Sequence, residues 1–130
     1  MNINVLRLDH RIGRDTRITT HVCLTARAFG ADKVILSGER DKHIIESAES
    51  VVENWGGDFK VEYDPAAMKV IKEHKRNGYE IIHLTMYGKH VEDVIPEIRD
   101  NGRDKLIIVG GSRVPTEVYE LADWNLSVTN

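Results

Sequence analysis

The sequence predicts an α/β protein whose mostly parallel sheet is covered by helices on both faces. Short apolar runs rich in branched residues alternate along the chain with longer segments in which apolar residues recur at helical spacing. Strands that read as continuous apolar runs are typical of parallel sheets, because both of their faces are buried. The alternation of strand and helix points to the same architecture. The 130 residues include only three prolines and no linker, so one domain over residues 1–130 is expected.

Six segments have the composition of β-strands. They span residues 3–8, 32–37, 59–63, 79–84, 105–109 and 124–128. The third alternates apolar residues with Lys60 and Glu62, which is typical of an edge strand. The second contains the apolar run 34–36 and the fifth the apolar run 106–109, so we expect both to be buried.

Five segments between these strands have helical periodicity. They span residues 16–28, 41–54, 65–78, 91–99 and 116–121. Asp15 or Thr16 is expected to cap the first helix and Asp64 the third, because short polar side chains accept hydrogen bonds from the free N–H groups of a first turn. Pro65 then opens the third helix, where its missing N–H is not needed. Pro96 is expected to kink the fourth.

The arginines are concentrated near the N-terminus of an otherwise acidic chain. The net charge of the whole protein is −3. The first thirty residues hold five arginines against Asp9 and Asp15, a net charge of +3, so the remaining hundred residues sum to −6. A local arginine cluster on an acidic body suggests a focused site for an anion or a phosphate. A solvated, ion-paired surface is the alternative, and charge alone favours it.

Composition also excludes several classes of protein. No apolar run approaches the ~20 residues that cross a bilayer, and the N-terminus lacks the pattern of a signal peptide, so a soluble intracellular protein is expected. Cys23 is the single cysteine, which excludes an internal disulfide and a cysteine-rich zinc site. The six histidines lack the paired spacing of a helical metal site, so no metal is expected. His83 reads as a satisfied core histidine, and His43 and His74 as residues of helix surfaces.

Common nucleotide-binding and hydrolase motifs are absent from the sequence. No Gly-x-Gly-x-x-Gly follows the first predicted strand, and no Walker loop occurs. Neither Ser37 nor Ser112 lies in a Gly-x-Ser-x-Gly elbow. NAD, ATP and a nucleophilic serine are therefore disfavoured.

Two turns after predicted strands are candidates for ligand binding, at residues 84–88 and 109–114. Gly110 and Gly111 lack Cβ atoms, so a ligand can approach the backbone closely there. Ligands of open α/β sheets bind outside the carboxyl ends of the strands. If the fourth and fifth predicted strands are neighbours, the two turns border one cleft, with residues 126–130 as a third wall. A plain turn between strand and helix explains the two glycines equally well.

Two long motifs and a turn carry a resemblance to a known family. The first motif runs from Arg7 to Val22 and is followed by Ala-Phe-Gly-Ala at residues 28–31; the turn is His-Leu-Thr-Met-Tyr-Gly at residues 83–88. The second motif, Val-Gly-Gly-Ser-Arg-Val-Pro-Thr-Glu-Val-Tyr, begins at Val109 and continues to Asn130. Together they resemble the archaeal tRNA cytidine-56 2′-O-methyltransferases of the SPOUT superfamily, along essentially the whole chain.

The resemblance implies a SPOUT-like α/β knot, in which the C-terminal segment threads through a loop as a trefoil knot. It also implies binding of S-adenosylmethionine within the knot, a homodimer, cytoplasmic location, and methylation of the ribose 2′-hydroxyl of cytidine 56 in the tRNA T-loop. Members of the family continue beyond the last strand into a long apolar helix that completes the knot, whereas this chain ends at Asn130. We therefore expect the knot-closing C-terminal helix to be missing and the domain to be C-terminally incomplete.

Site residues follow from the resemblance by position. Arg17 is expected at the reacting hydroxyl as the catalytic residue, orienting it and stabilising the developing alkoxide, because a guanidinium is too basic to serve as a general base. Arg11 and Arg14 are expected to bind the RNA backbone. For each arginine, a surface ion pair with Asp9, Asp15 or an acidic helix is the alternative. The expected cofactor contacts are Leu84, Gly110, Gly111, Ser112, Arg113, Val114, Val128, Thr129 and Asn130.

The chemistry of the cofactor agrees in part with these residues. S-adenosylmethionine carries a sulfonium cation and an adenine but no phosphate, so a pocket of backbone groups with apolar walls suits it better than a phosphate cradle. The Gly-Gly-Ser turn offers such a wall. Two other classes of function stay open from the residues alone: a non-catalytic module that binds RNA or a nucleotide, and a flavodoxin-like redox or regulatory domain.

Overall fold

Strands and helices alternate along the chain in the computed structural model, which describes residues 1–55, 59–85, 89–90, 96, 101–110 and 114–127. The strands within these ranges are β1 Ile3–His10, β2 Lys33–Gly38, β3 Lys60–Tyr63, β4 Glu80–Thr85, β5 Lys89–His90, β6 Lys105–Val109 and β7 Trp124–Ser127. The helices are α1 Thr16–Ala28, α2 Lys42–Trp55, α3 Ala67–Arg76 and α4 Thr116–Leu121. None of the described helices is long and apolar enough to cross a membrane.

The strands form one sheet in the order β3-β2-β1-β6-β4-β7-β5, and all neighbouring pairs are parallel. The prediction of a mostly parallel sheet is confirmed. So is the pairing of the fourth and fifth predicted strands, since β4 lies beside β6 with Leu84 opposite Val109. Strand β1 lies between β2 and β6, so the N-terminal strand pairs with one from near the other end of the chain.

Helices cover both faces of the sheet, as predicted. On one face, Ile71 of α3 and Val118 of α4 pack against strand residues that include Leu6. On the other face, Cys23 of α1 and Ile44 of α2 pack against Val5 and its neighbours. Successive residues of a strand point to opposite faces, so β1 supplies both cores from adjacent positions. The thiol of Cys23 is buried, and this burial raises its pKa to about 11.

Helix α1 begins at Thr16 as predicted, but the caps of α1 and α3 differ from the prediction. Asp64 does not cap α3, because its Oδ1 accepts a hydrogen bond from the N–H of Ala66 and forms a turn ahead of the helix. Ala66 is the N-cap residue, so α3 begins after Pro65 rather than at it. Asp15 precedes α1 without a capping hydrogen bond, because its carboxylate accepts the backbone N–H and the Nε–H of Arg11. In this arrangement the carboxylate has a positively charged donor in addition to a backbone N–H, whereas a cap offers backbone N–H groups only.

Two further differences concern strands and the fourth predicted helix. Strand β1 continues to His10, and the short strand β5 was not predicted, because two residues carry no periodicity. The helix predicted for residues 91–99 lies outside the described residues except for Pro96. The predicted sixth strand is confirmed as β7 up to Ser127.

A buried carboxylate joins three strands at the amino edge of the sheet. Glu80 at the start of β4 is 3% exposed and accepts hydrogen bonds from the Nζ of Lys105 at 2.6 Å and the Nε1 of Trp124 at 3.0 Å. The Nδ2 of Asn101 donates to both of its oxygens at 3.0 Å. Burial alone would raise the pKa of Glu80, but these hydrogen bonds outweigh it and hold the pKa below its ordinary value of 4.5. The group is therefore ionised and fixes the starts of β4, β6 and β7 relative to one another.

The Glu80→Gln variant is expected to lower the free energy of unfolding by about 3 kcal/mol at neutral pH, because the ammonium of Lys105 stays buried without its partner charge. In the wild type, this carboxylate contributes fully above pH 4.5, and its contribution is lost as the pH falls through the lowered pKa. The variant lacks that acid-dependent loss. Urea unfolding at neutral and acidic pH measures both effects.

Glu62→Gln is the matched control, since Glu62 pairs with Lys33 at the surface at 3.5 Å. Exposed pairs contribute at most about 1 kcal/mol. Equal losses in the two variants would contradict the structural role of Glu80.

Candidate functional site

Four strands end side by side at the carboxyl edge of the sheet. A single row of paired residues crosses them, with Arg7 of β1 opposite Val109 of β6, Val109 opposite Leu84 of β4, and Leu84 opposite Leu126 of β7. The arginine-rich loop after β1 and the glycine turn after β6 therefore leave the sheet at the same edge. This confirms that the ends of the fourth and fifth predicted strands border one region, with the last strand beside them.

The turn after β6 is built around Gly110. A Cβ added to Gly110 would lie 2.5 Å from the Cγ2 of Val114, so the side chain of Val114 occupies the space that any larger residue needs. The carbonyl oxygen of Gly110 accepts a hydrogen bond of 2.6 Å from the Nη1 of Arg7. Close packing on one side and a guanidinium on the other thus fix the start of the turn.

The structure brings together only part of the predicted cofactor site. Leu84, Gly110 and Val114 lie at one edge of the sheet. The side chains of Leu84 and Val114, however, pack on opposite faces of it. Leu84 packs with Ile82, whereas Val114 packs on the side of α3 and α4. The remaining predicted contacts lie outside the described residues: Gly111, Ser112, Arg113, Val128, Thr129 and Asn130.

His83 is buried beside this turn with one ring nitrogen unpaired. Its Nδ1 lies 2.9 Å from the Oδ1 of Asn125, whose Nδ2 donates to the carbonyl oxygen of Tyr119. The amide orientation is thereby fixed, so Nδ1 of His83 carries the proton and Nε2 presents a lone pair. Burial lowers the pKa of His83, which keeps the ring neutral.

The Nε2 of His83 finds no hydrogen-bond partner in the described part of the chain. It lies 3.9 Å from the position of a Cβ on Gly110. The prediction of a satisfied core histidine is therefore wrong at this atom. The other two predictions for histidines differ in outcome: His43 is exposed, but His74 is half-buried and lies 3.1 Å from the Nδ2 of Asn4.

The three predicted RNA-facing arginines have different surroundings. Arg11 is half-buried and donates from its backbone N–H at 3.0 Å and its Nε at 3.2 Å to the Oδ2 of Asp15. Burial would raise the pKa of Asp15, but the bonds from Arg11 outweigh it and lower that pKa. Arg14 and Arg17 are exposed, and no hydrogen bond or ion pair joins their guanidinium groups to another described residue. The ion-pair alternative thus describes Arg11, while two guanidinium groups stand open to solvent.

Sequence reasoning missed a set of buried polar residues behind this edge. Arg7, His10, Thr19 and Asp41 are all buried and hydrogen-bonded to one another in series. One signal was present, an arginine between two leucines of a predicted strand, because such a side chain must find acceptors inside the fold. No group of three metal-ligating side chains occurs among the residues that the structure describes.

A family model described as tRNA ribose 2′-O-methyltransferase, aTrm56, matches residues 55–130. The chain belongs to this family. A protein named tRNA (cytidine(56)-2′-O)-methyltransferase from Methanosphaera stadtmanae is 85% identical over 128 residues, which are 98% of this chain and 73% of that protein. The protein of the same name from Methanothermobacter thermautotrophicus is 61% identical over 130 residues, all of this chain and 73% of the relative.

Solved structures of low sequence identity share the fold of this family member. The TrmH/SpoU tRNA modifying enzyme of A. aeolicus superposes with a TM-score of 0.72 at 16% identity, over 99% of this chain and 63% of that one. AviRb from Streptomyces viridochromogenes, a SpoU methyltransferase crystallised with AdoMet, gives 0.67 at 17% identity, over 99% of this chain and 49% of that one. These likenesses confirm the SPOUT-like fold class.

Gly110→Ala is expected to lower the free energy of unfolding by about 1–3 kcal/mol, because the new methyl group displaces the stiff side chain of Val114 from its packing position. Thermal or urea unfolding measures the loss. The matched test is the double variant Gly110→Ala with Val114→Ala, which removes the clashing methyl groups. If the double variant loses as much free energy of unfolding as the two single variants together, or more, the contact between Gly110 and Val114 is not the cause.

Proposed function

We propose that the protein transfers the methyl group of S-adenosylmethionine to the ribose 2′-hydroxyl of cytidine 56 in tRNA. Support comes from a relative of 85% identity that carries this activity in its name, and from the SPOUT fold shared with a methyltransferase crystallised with AdoMet. The observation that carries the proposal is the strand register, because Arg7 opposite Val109 puts the arginine loop and the Gly110 turn at one edge.

The residues at this edge fit the cofactor by their chemistry. The turn presents backbone groups between apolar side chains, Leu84 on one face and Val114 on the other. The lone pair of His83 beside the turn requires a hydrogen-bond donor, and S-adenosylmethionine carries amino groups but no phosphate. We propose that Leu84, Gly110 and Val114 contact the cofactor, with Gly111, Ser112, Arg113, Val128, Thr129 and Asn130 completing its site. When bound, the cofactor supplies the methyl group as an electrophile.

The exposed arginines fit the RNA side of the reaction. Arg17 lies in the first turn of α1 and is open to solvent, so we assign it to the reacting ribose, where it orients the hydroxyl and stabilises the negative charge that develops on oxygen. Arg14 is equally open and suits a phosphate contact. Arg11 is bound to Asp15, and this contact holds the loop in place. In the proposed complex Arg11 also faces the RNA backbone.

Two further properties complete the proposal. The protein acts in the cytoplasm where tRNA is found, and two copies form a homodimer. An exposed apolar face supports the dimer: Ile18 of α1 is 57% exposed and Phe29 just beyond that helix is 84% exposed. Residues at these two positions share one side of a helix. A groove between α1 and the sheet, lined by Val5, Val22 and Ile107, adjoins Ile18.

The activity is tested by transfer of label from methyl-labelled S-adenosylmethionine to unmodified tRNA, with the modified nucleotide mapped by primer extension. Arg17→Ala is expected to lower kcat by about 10²–10³-fold, as for the loss of one donor to a developing oxyanion. Cofactor affinity is expected to be unchanged. Arg27→Ala is the matched control, because Arg27 lies in the last turn of the same helix.

Absence of label in tRNA with the wild-type protein would contradict the proposed activity. Binding of tRNA without cofactor binding would instead favour a non-catalytic module. Equal rates for Arg17→Ala and Arg27→Ala would remove Arg17 from the reaction while leaving the activity itself in place.

The dimer is tested with Ile18→Glu, which places a charge on the apolar face and is expected to yield a monomer, because burying an unpaired carboxylate costs several kcal/mol. Light scattering after size-exclusion chromatography measures the mass. Leu24→Glu is the control, since Leu24 is 48% exposed on the same helix and lies about 120° around the helix axis from Ile18. A wild-type monomer, or a dimer that survives Ile18→Glu, would contradict this interface.

A further inference from the structure

A continuous series of hydrogen bonds runs beneath the carboxyl edge and ends at the Gly110 turn. Its last member is Arg7, which is 3% exposed and donates from Nη1 to the carbonyl oxygen of Gly110 at 2.6 Å. The same nitrogen lies 3.3 Å from the carbonyl oxygen of Leu8. Burial lowers the pKa of Arg7, although the nearby carboxylates of Asp15 and Asp9 oppose this effect. A guanidinium in such a place requires fixed acceptors.

Thr19 of α1 orients the guanidinium from behind. Its Oγ1 accepts a hydrogen bond of 3.2 Å from the Nε of Arg7 and lies 2.7 Å from the Nδ1 of His10. All three side chains are buried. The rotation of Arg7 is thereby limited, because Nε and Nη1 are both engaged and the guanidinium is planar.

His10 and Asp41 continue the series towards the arginine loop. The Nε2 of His10 lies 3.0 Å from the Oδ2 of Asp41, which also accepts the hydroxyl of Thr16 at 3.1 Å. Burial would raise the pKa of Asp41, but the hydrogen bonds from His10 and Thr16 outweigh it and lower the pKa. The backbone N–H of Gly13, within the loop, donates to the Oγ1 of Thr16 at 3.0 Å.

Donor and acceptor roles can be assigned consistently to every group of this series, starting from Asp41 and ending at Arg7. An ionised Asp41 accepts from Nε2–H of His10. When Nδ1 of the same ring carries no hydrogen, it accepts the hydroxyl hydrogen of Thr19. The oxygen of Thr19 then receives Nε–H of Arg7. Each group has the partner that its neighbour requires, so removal of one member disturbs the next.

We infer that Arg7 is a positioning residue for the cofactor: it holds the Gly110 carbonyl, and Thr19, His10 and Asp41 hold Arg7. The inference rests on the proposed function and deepens it. Arg7 contacts Gly110 directly, and the proposed cofactor contacts lie next to Gly110. Asp41 acts on the turn only through the side chains of His10, Thr19 and Arg7. The turn is therefore set by residues that do not touch the ligand, from β1, from α1 and from the position just before α2.

The test uses Thr19→Val, which removes the hydroxyl at nearly constant volume, with Thr19→Ser to restore it. The dissociation constant of S-adenosylhomocysteine, measured by calorimetry on the full chain, is expected to rise about tenfold for Thr19→Val, as for the loss of one hydrogen bond. It is expected to stay close to wild type for Thr19→Ser. The KM for S-adenosylmethionine should rise by the same factor, while kcat at saturation and the dissociation constant of tRNA stay nearly constant.

Thr20→Val is the matched control. Thr20 is the next residue of α1, and its hydroxyl donates within the helix to the carbonyl oxygen of Thr16 at 2.7 Å. A role in folding alone would lower the melting temperature and the folded fraction without changing the dissociation constant of the folded protein. Circular dichroism on the same samples separates the two effects.

If Thr19→Val does not fold, Arg7→Lys provides the second test, since it keeps the charge but loses the fork that contacts both Thr19 and Gly110. It is expected to weaken S-adenosylhomocysteine binding in the same direction. Unchanged cofactor affinity in the folded variant would overturn the inference. A wild-type protein that binds no S-adenosylhomocysteine would overturn the proposed function, and this inference with it.

Discussion

The parallel pairing of β1 with β6 is the constraint on which the rest of the structure depends. It joins residues about a hundred positions apart, from Ile3 opposite Lys105 to Arg7 opposite Val109. Hydrogen bonds close both ends of the pair. At the amino edge, the N–H of Lys105 donates to the carbonyl oxygen of Asn2 at 2.8 Å. At the carboxyl edge, Arg7 donates to Gly110 at 2.6 Å. Without this pairing, the arginine loop and the glycine turn would belong to unconnected parts of the chain.

Buried charge is placed at the two edges of the sheet, and apolar side chains fill the space between them. Glu80 and Lys105 form the pair at the amino edge, and Arg7 lies at the carboxyl edge. Burial of an ion is unfavourable unless its hydrogen bonds are directional and complete. Such groups therefore add directional contacts at the strand ends, since hydrogen bonds depend on angle and dispersion contacts do not. The result is a sheet whose strand ends are defined at both edges.

Apolar periodicity was sufficient to predict the parallel sheet and the order of the described elements other than β5, because these depend on patterns of adjacent residues. The caps of α1 and α3 were less predictable, since the carboxylates of Asp15 and Asp64 had competing partners nearby. Neither the unpaired Nε2 of His83 nor the hydrogen-bonded series from Arg7 to Asp41 could be predicted from the sequence. Their partners are distant in the sequence, and hydrogen bonds between distant side chains leave no periodic signal.

The candidate site was predicted in outline by the resemblance, and the structure adds which residues have competing partners. The three arginines were equivalent in the sequence, yet Arg11 is held by Asp15 while Arg14 and Arg17 have no partner among the described residues. Burial and ion pairing thus distinguish Arg11, whose guanidinium supports the loop, from Arg14 and Arg17, whose guanidinium groups face solvent. The same comparison adds Arg7, which the resemblance did not single out.

The electrostatics of α1 explain why two arginines remain unpaired at its start. The N-terminal end of a helix carries partial positive charge, and the first turn of α1 contains Arg17 but no acidic residue. Asp15 precedes the helix, but its carboxylate is already engaged by Arg11. Like charges close together disfavour the free protein by a few tenths of a kcal/mol each. An anion bound there removes that repulsion, because a phosphate is attracted both by the guanidinium groups and by the helix end. In the proposed function, residues that slightly destabilise the free protein would therefore favour its complex with RNA, and added salt would weaken that complex more than it changes the fold.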